Sequence, residues 1–343
     1  MASSLVLVAN AADGSLSTFR LNGGHLERMT VTPGLTGCST FAVDGGRGFV
    51  YASVKPDSDH PEAGIVTLSI DRETGELALR SRRDLPGGAM NYLTLTRDGT
   101  ALLGAAYSGG YGIVCPVEDG AVGEPAAEVS FPRLHSVAAS ADGRFAYFVS
   151  LEADLVAQYA LTDDLSLEAL EPASAPAPGG SGPRHLVVSD AGDAVYVLTE
   201  FTAEVLRYGR DPETGTLTLT DAVPAHDPAL SLGRSVIDED PRANGYVWGA
   251  DLHLGDGVLW ASERTGSTLA AVDVGEDGAL SAPGSFTVTE TQPRGFALSP
   301  ERDLLVAAGE RSTSVSLYAV SGERLELRQR IETGQGANWV RFA

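Results

Sequence analysis

Ser181-Gly182-Pro183-Arg184-His185-Leu186-Val187-Val188-Ser189, followed after Asp190-Ala191-Gly192-Asp193 by Ala194-Val195-Tyr196-Val197-Leu198-Thr199-Glu200, decides how the chain is read. Both segments mix β-branched and apolar residues, and the Asp and Gly between them mark a corner. The stretch therefore reads as two antiparallel strands. Two more strands follow, at 204–208 and 216–219, separated by the turn Asp211-Pro212-Glu213-Thr214-Gly215. Four strands in succession make one small meander.

The same pattern fills the chain. A first unit spans 4–32 but lacks an opening strand, and a second covers 40–82 with an insertion at 55–62. Further units occupy 92–130, 135–170, 251–287 and 295–331, and a long loop at 224–248 precedes the sixth. One strand, 338–342, is left over at the C-terminus. Seven units of about 49 residues suit four-stranded propeller blades. The leftover strand completes the unit that lacks one, which closes a ring and removes long sheet edges. The expected fold is all-β, a seven-bladed β-propeller of four-stranded antiparallel blades, with residues 1–343 as one domain.

Composition agrees. The chain is 43% hydrophobic with 40 Gly and 18 Pro, and shows no long segment of helical period. Its formal charge is −22, from 24 basic and 46 acidic residues, which argues against nucleic-acid or anionic-membrane partners. Such acidity keeps a protein soluble, and a salt-adapted host or a high-GC genome would also produce it. Lys55 is the single lysine, so arginine carries almost all the positive charge. Two cysteines, Cys38 and Cys115, are too few for a disulfide framework or a zinc site. The N-terminal stretch has no basic region and only a strand-sized apolar run, so no signal peptide or membrane span is expected and the reading is cytoplasmic.

In a propeller, the residue opening the innermost strand and the residue closing the second strand both meet the mouth of the central channel. The first ring holds Asn91, His135, Arg184 and Arg294, with Tyr92 and His185 one step further. The second ring holds Tyr107, Leu151, Glu200, Arg264 and Glu310. Arginine forks match carboxylate and phosphate. Glu200, held by an arginine, suits a base, and His135 suits a group titrating near neutral pH. Each also has a plainer reading: the arginines as inter-blade ion pairs, Glu200 as their counter-ion, and the histidines, including His253, as packing groups. Glu263 and Arg311 read as solvated rim groups. No spacing demands a metal.

Gly182-Pro183-Arg184-His185-Leu186 with Tyr196-Val197-Leu198-Thr199-Glu200 resembles the GPRH…YVxNE pattern of the seven-bladed propeller lactonases. That family includes 6-phosphogluconolactonases and carboxy-cis,cis-muconate lactonizing enzymes. Leu134-His135-Ser136-Val137, Ala250-Asp251-Leu252-His253-Leu254 with Ala261-Ser262-Glu263-Arg264, and Pro293-Arg294-Gly295-Phe296 are similar to further family motifs. Departures are Arg133-Leu134 before the histidine, Asn91-Tyr92 where many members have Cys-His, and Glu263 in place of Asn. The resemblance implies His135, Arg184, Glu200 and Arg264 as the active set, without metal or organic cofactor.

The expected activity is hydrolysis of an acidic sugar lactone, of the 6-phosphogluconolactonase type. Arg294, His185, Asn91, Tyr92, Tyr107 and Glu310 would contact the substrate. The alternatives are a muconate cycloisomerase, an aldaric-acid lactonase, and a non-catalytic binding propeller. One lysine and no second basic cluster point away from a bulky phosphosugar. The expected partner is the small-molecule lactone alone, on a monomer or weak homo-oligomer.

Overall fold

The computed structural model describes residues 4–343, so Met1–Ser3 of the N-terminal stretch lie outside the described residues. Seven antiparallel sheets are arranged as successive blades. The blade of the opening stretch, the fifth, is built from Pro183–Val188, Ala194–Thr199, Glu204–Arg210 and Leu217–Pro224. The first strands of neighbouring blades touch one another in a closed cycle around the axis. In the first blade that innermost place is taken by Ala337–Phe342, which pairs with Ser4–Asn10 in the register Val6↔Phe342 and Val8↔Val340.

The apolar runs of the sequence follow from this geometry. Side chains alternate across a strand, and here both faces meet another blade, so apolar residues can occupy every position. In the opening stretch, Val195 and Val197 pack towards the fourth blade, while Ala194, Tyr196 and Leu198 pack towards the sixth. Likewise Leu7 and Ala9 face the second blade and Val6 and Val8 the seventh. The core is thus seven clusters, one at each blade-to-blade interface. Both cysteines lie in such interfaces, and burial pushes each thiol up to about 12, away from any nucleophilic role at neutral pH.

Turns lock neighbouring blades together. In Asp211-Pro212-Glu213-Thr214-Gly215, the Asp211 carboxylate accepts the Glu213 and Thr214 amides at 2.8 and 2.9 Å. Gly215 closes the turn at φ +74°, and a Cβ there would strike the Phe145 ring of the fourth blade. Its carbonyl accepts the Tyr147 hydroxyl at 2.7 Å.

Some outer strands depart from expectation. The outer strand of the sixth blade, expected over 279–287, is only Ser285–Val288, because Pro283-Gly284 interrupts the preceding segment. The outer strand of the fourth runs past its expected end, over Leu167–Pro176, with a register shift that accommodates Pro172 at the edge. The loop at 224–248 contains two short helical turns, Pro228–Leu230 and Pro241–Asn244. Among the described residues no helix is long and apolar enough to cross a membrane.

Trp339, on the returning strand, is fully buried and donates its indole N–H to the Phe41 carbonyl at 2.9 Å, tying the first blade to the second. We expect Trp339→Ala to destabilise the protein by about 3–5 kcal/mol through lost burial and an unfilled cavity. Guanidinium unfolding measures this, and an exposed-site control such as Leu327→Ala, on an outer strand, should cost far less.

Candidate active site

Where the innermost strands begin, four of them carry a register shift. That of the sixth blade falls between Gly249 and Leu252, and the other three each place an extra residue at the mouth. Pro183 faces Thr199 but His185 faces Leu198, which leaves Arg184 as an extra residue. Leu134 faces Ser150 and Ser136 faces Val149, which does the same for His135. In the first blade, Ala337 and Trp339 pair with Asn10 and Ala9 and leave out Asn338. Such bulges re-aim a side chain out of the alternating pattern. All three extra residues line one cavity of about 690 Å³.

Of the ten polar residues expected at the mouth, Asn91, Tyr107, His135, Arg184, Glu200, Arg264, Arg294 and Glu310 line this cavity, and the apolar Leu151 does not. Tyr92 and His185 do not, and this corrects their expected place. They follow their bulge or strand-start residue by one, so the pleat turns them away from the mouth. There they form an aromatic floor with Trp339, with ring centroids at 4.9 Å (Tyr92–His185), 5.3 Å (Tyr92–Trp339) and 5.7 Å (His185–Trp339). Tyr92 lines a separate cavity of about 780 Å³ at the opposite end. Although larger, that cavity has no comparable convergence: its Arg47 is paired with Asp44 at 2.9 Å, and its Arg341 lies over Trp339.

Two arginine–glutamate pairs organise the mouth. Arg184, at 1% exposure, donates from Nε to Glu200 Oε2 at 2.7 Å and from Nη1 to the Ala250 carbonyl. Burial lowers its pKa, Glu200 opposes that shift and Arg294 adds to it. Arg264 donates to Glu310 and lies with its Cζ 3.3 Å from the Trp248 ring centroid. Burial brings Arg264 down to about 10, so it stays cationic at neutral pH. Arg294 approaches the other Glu310 oxygen at 3.7 Å, and Gln292 donates to Glu310 at 2.6 Å. Burial would raise Glu310, but Arg264 and Arg294 outweigh it and hold the carboxylate ionised. Asn91 joins the rings by donating to the His135 carbonyl at 2.7 Å and accepting the Tyr107 amide.

Several supporting residues escaped the sequence reading. Asp251, fully buried, accepts His185 Nδ1–H at 2.8 Å and faces His253 at 3.1 Å. Burial would raise Asp251, but the two histidines hold it well below the usual carboxylate range. An ionised Asp251 fixes the His185 tautomer, so Nε2 is left to accept from Arg184 Nη1 at 2.9 Å. Asp251 thereby orients Arg184 from behind. Glu263 is not a solvated rim group: it is 1% exposed and accepts the amides of Trp248, Thr265 and Gly266 at 2.6–2.9 Å. It folds the segment that presents Arg264 and Trp248. Their types were visible in the sequence, but nothing in the spacing marked them as supports.

A sequence model described as "Lactonase, 7-bladed beta-propeller" matches residues 6–342. The chain is 30% identical over 341 residues to a 6-phosphogluconolactonase of Enterobacter sp., covering 98% of this chain and 97% of that protein. It is 29% identical over 336 residues to the 6-phosphogluconolactonase of Klebsiella pneumoniae subsp. pneumoniae, covering 96% and 92%. Among solved structures, the periplasmic gluconolactonase of Pseudomonas aeruginosa superposes with a TM-score of 0.83 at 23% identity over 99% of both chains, a likeness of fold.

The histidines at the axis overturn one expectation. His135 does not titrate near neutral pH: burial, then Arg184 and His185, hold its pKa well below the ordinary value, and its Nδ1 is buried without a partner. Burial and Arg184 likewise push His185 down to about 3, against the opposing pull of Asp251. Below pH 6.5 the unfolded chain therefore takes up protons that the folded chain refuses, so stability falls as pH drops from 6.5 towards the folded values. From pH 6.5 to 5 the two histidines together should remove about 3 kcal/mol. Guanidinium titrations across that interval test this, and His135→Gln should roughly halve the slope.

Proposed function

Because the chain belongs to the seven-bladed β-propeller lactonase family, we propose that its lactone is 6-phosphogluconolactone, hydrolysed at the arginine-lined mouth. The observation that carries this reading is the convergence of Glu200, His135 and three arginines on one cavity. Glu200 is held by Arg184 through Oε2 alone, which leaves Oε1 for a water. In this mechanism Glu200 takes a proton as that water attacks the lactone carbonyl. Arg184 and Arg264 meet the negative charge that develops on the carbonyl oxygen. Both are buried and held by their own partners, so they need little reorganisation as the charge forms.

Collapse of the tetrahedral intermediate breaks the ring C–O bond, and the proton held by Glu200 passes to the departing oxygen. His135 is neutral in the empty site, so it does not begin the cycle as an imidazolium acid. It acts as a shuttle, taking the proton on one nitrogen and yielding one from the other. An arriving anion offsets the arginines that suppress its protonation, which makes the transfer easier once substrate is bound. No step requires a metal, and the hydroxy acid leaves with the composition of lactone plus water.

Glu200→Gln keeps an acceptor for Arg184 but removes the base. It should lower kcat by about 10²–10⁴-fold while the variant still unfolds in one cooperative transition. Acid release from 6-phosphogluconolactone at neutral pH, corrected for spontaneous hydrolysis, measures this, and wild-type turnover should be unchanged by EDTA. Retention of full activity by Glu200→Gln would remove Glu200 from the mechanism.

A further inference from the structure

The only lysine of the chain lies on the same cavity as the three arginines. Lys55 opens the insertion at 55–62 of the second blade, and its amide donates to the Thr36 carbonyl at 2.9 Å. Its stem lies against Gly37, which has φ +59°; a Cβ on that glycine would stand 2.7 Å from Lys55 Cδ. The absence of a side chain at Gly37 gives the lysine its seat at the rim. Among the described residues no carboxylate lies within ion-pair distance of Lys55. The arginines differ in this respect, since Arg184, Arg264 and Arg294 each face Glu200 or Glu310.

The charge balance of the cavity follows. The three arginines and two glutamates leave one positive charge, which matches the single negative charge developing on a carbonyl oxygen. Lys55 adds a further, unclaimed cation at the rim. An ammonium is a compact charge with three rotatable donors, suited to the terminal oxygens of a phosphate, whereas the buried guanidiniums are fixed by their partners.

We propose that Lys55 is the specificity residue of this site and binds the phosphate of a phosphorylated sugar lactone, while the buried arginines serve the reacting carbonyl. This rests on the reading that the substrate is 6-phosphogluconolactone. It also reverses the weight of the lysine count: one lysine argued against a phosphosugar, but its position argues for one.

The test compares 6-phosphogluconolactone with unphosphorylated gluconolactone on wild type, Lys55→Met and Lys55→Arg. For the phosphorylated lactone, Lys55→Met should lose about 10–100-fold in kcat/KM, mostly through KM, as expected for a lost hydrogen bond to a charged group. Gluconolactone turnover should stay within about twofold, and Lys55→Arg should recover most of the loss. Equal losses on both lactones, or none on either, would overturn the role of Lys55 while leaving the substrate reading intact. A wild-type enzyme that does not prefer the phosphorylated lactone would overturn both. Lys55 is exposed, so unchanged unfolding of Lys55→Met serves as the control.

Discussion

The structure depends on one packing constraint: the inner strands of each blade have no solvent face. Val195 and Val197 pack against one neighbour, and Tyr196 and Leu198 against the other. A blade cut off from either neighbour would expose a face as apolar as the core, at roughly 25 cal/mol for every Å² uncovered. The array can therefore end only by meeting its own beginning. The chain does this with the strand Ala337–Phe342, whose Val340 and Trp339 face the seventh and second blades. A ring closed in this way holds the starts of seven strands rigidly about one axis.

That rigidity lets the mouth hold charges that would be costly elsewhere. Guanidiniums gathered in one buried cavity repel each other and lose hydration, and such groups persist only with partners. Glu200 and Glu310 supply the partners, Trp248 supplies a ring face to Arg264, and Asp251 acts on Arg184 through His185. The pairing is incomplete by one charge within the buried set. The cavity therefore carries a net positive charge that favours an anion, and burial together with the nearby arginines holds His135 unprotonated.

Much of this was legible in the sequence, for identifiable reasons. The repeat was readable because Asp and Gly corners recur at nearly constant spacing, and the missing first strand had its counterpart at 338–342. Eight residues of the cavity were found because strand starts and strand ends fall at one face of a propeller. Tyr92 and His185 were misplaced because a strand-start position specifies a level along the axis and not the face of the pleat. The bulges at Arg184, His135 and Asn338 set that face, and no residue type announced them. Glu263 looked solvated because its three amide partners are supplied by the loop around it. Lys55 was counted but not located, since an insertion between strands gives no axial position in a sequence.

The aromatic floor under the mouth, formed by Tyr92, His185 and Trp339, has a kinetic meaning. A propeller is often pictured as a tube, but here two separate cavities open at its ends and the three rings pack on one another near the axis. If lactone is hydrolysed at this mouth, as proposed, substrate and hydroxy acid share one opening. The product is itself an anion and carries one more negative charge than the lactone from which it came. On that reading, clearing it from the arginines, and not only breaking the ester bond, belongs to the turnover cycle, and accumulated product competes with incoming lactone.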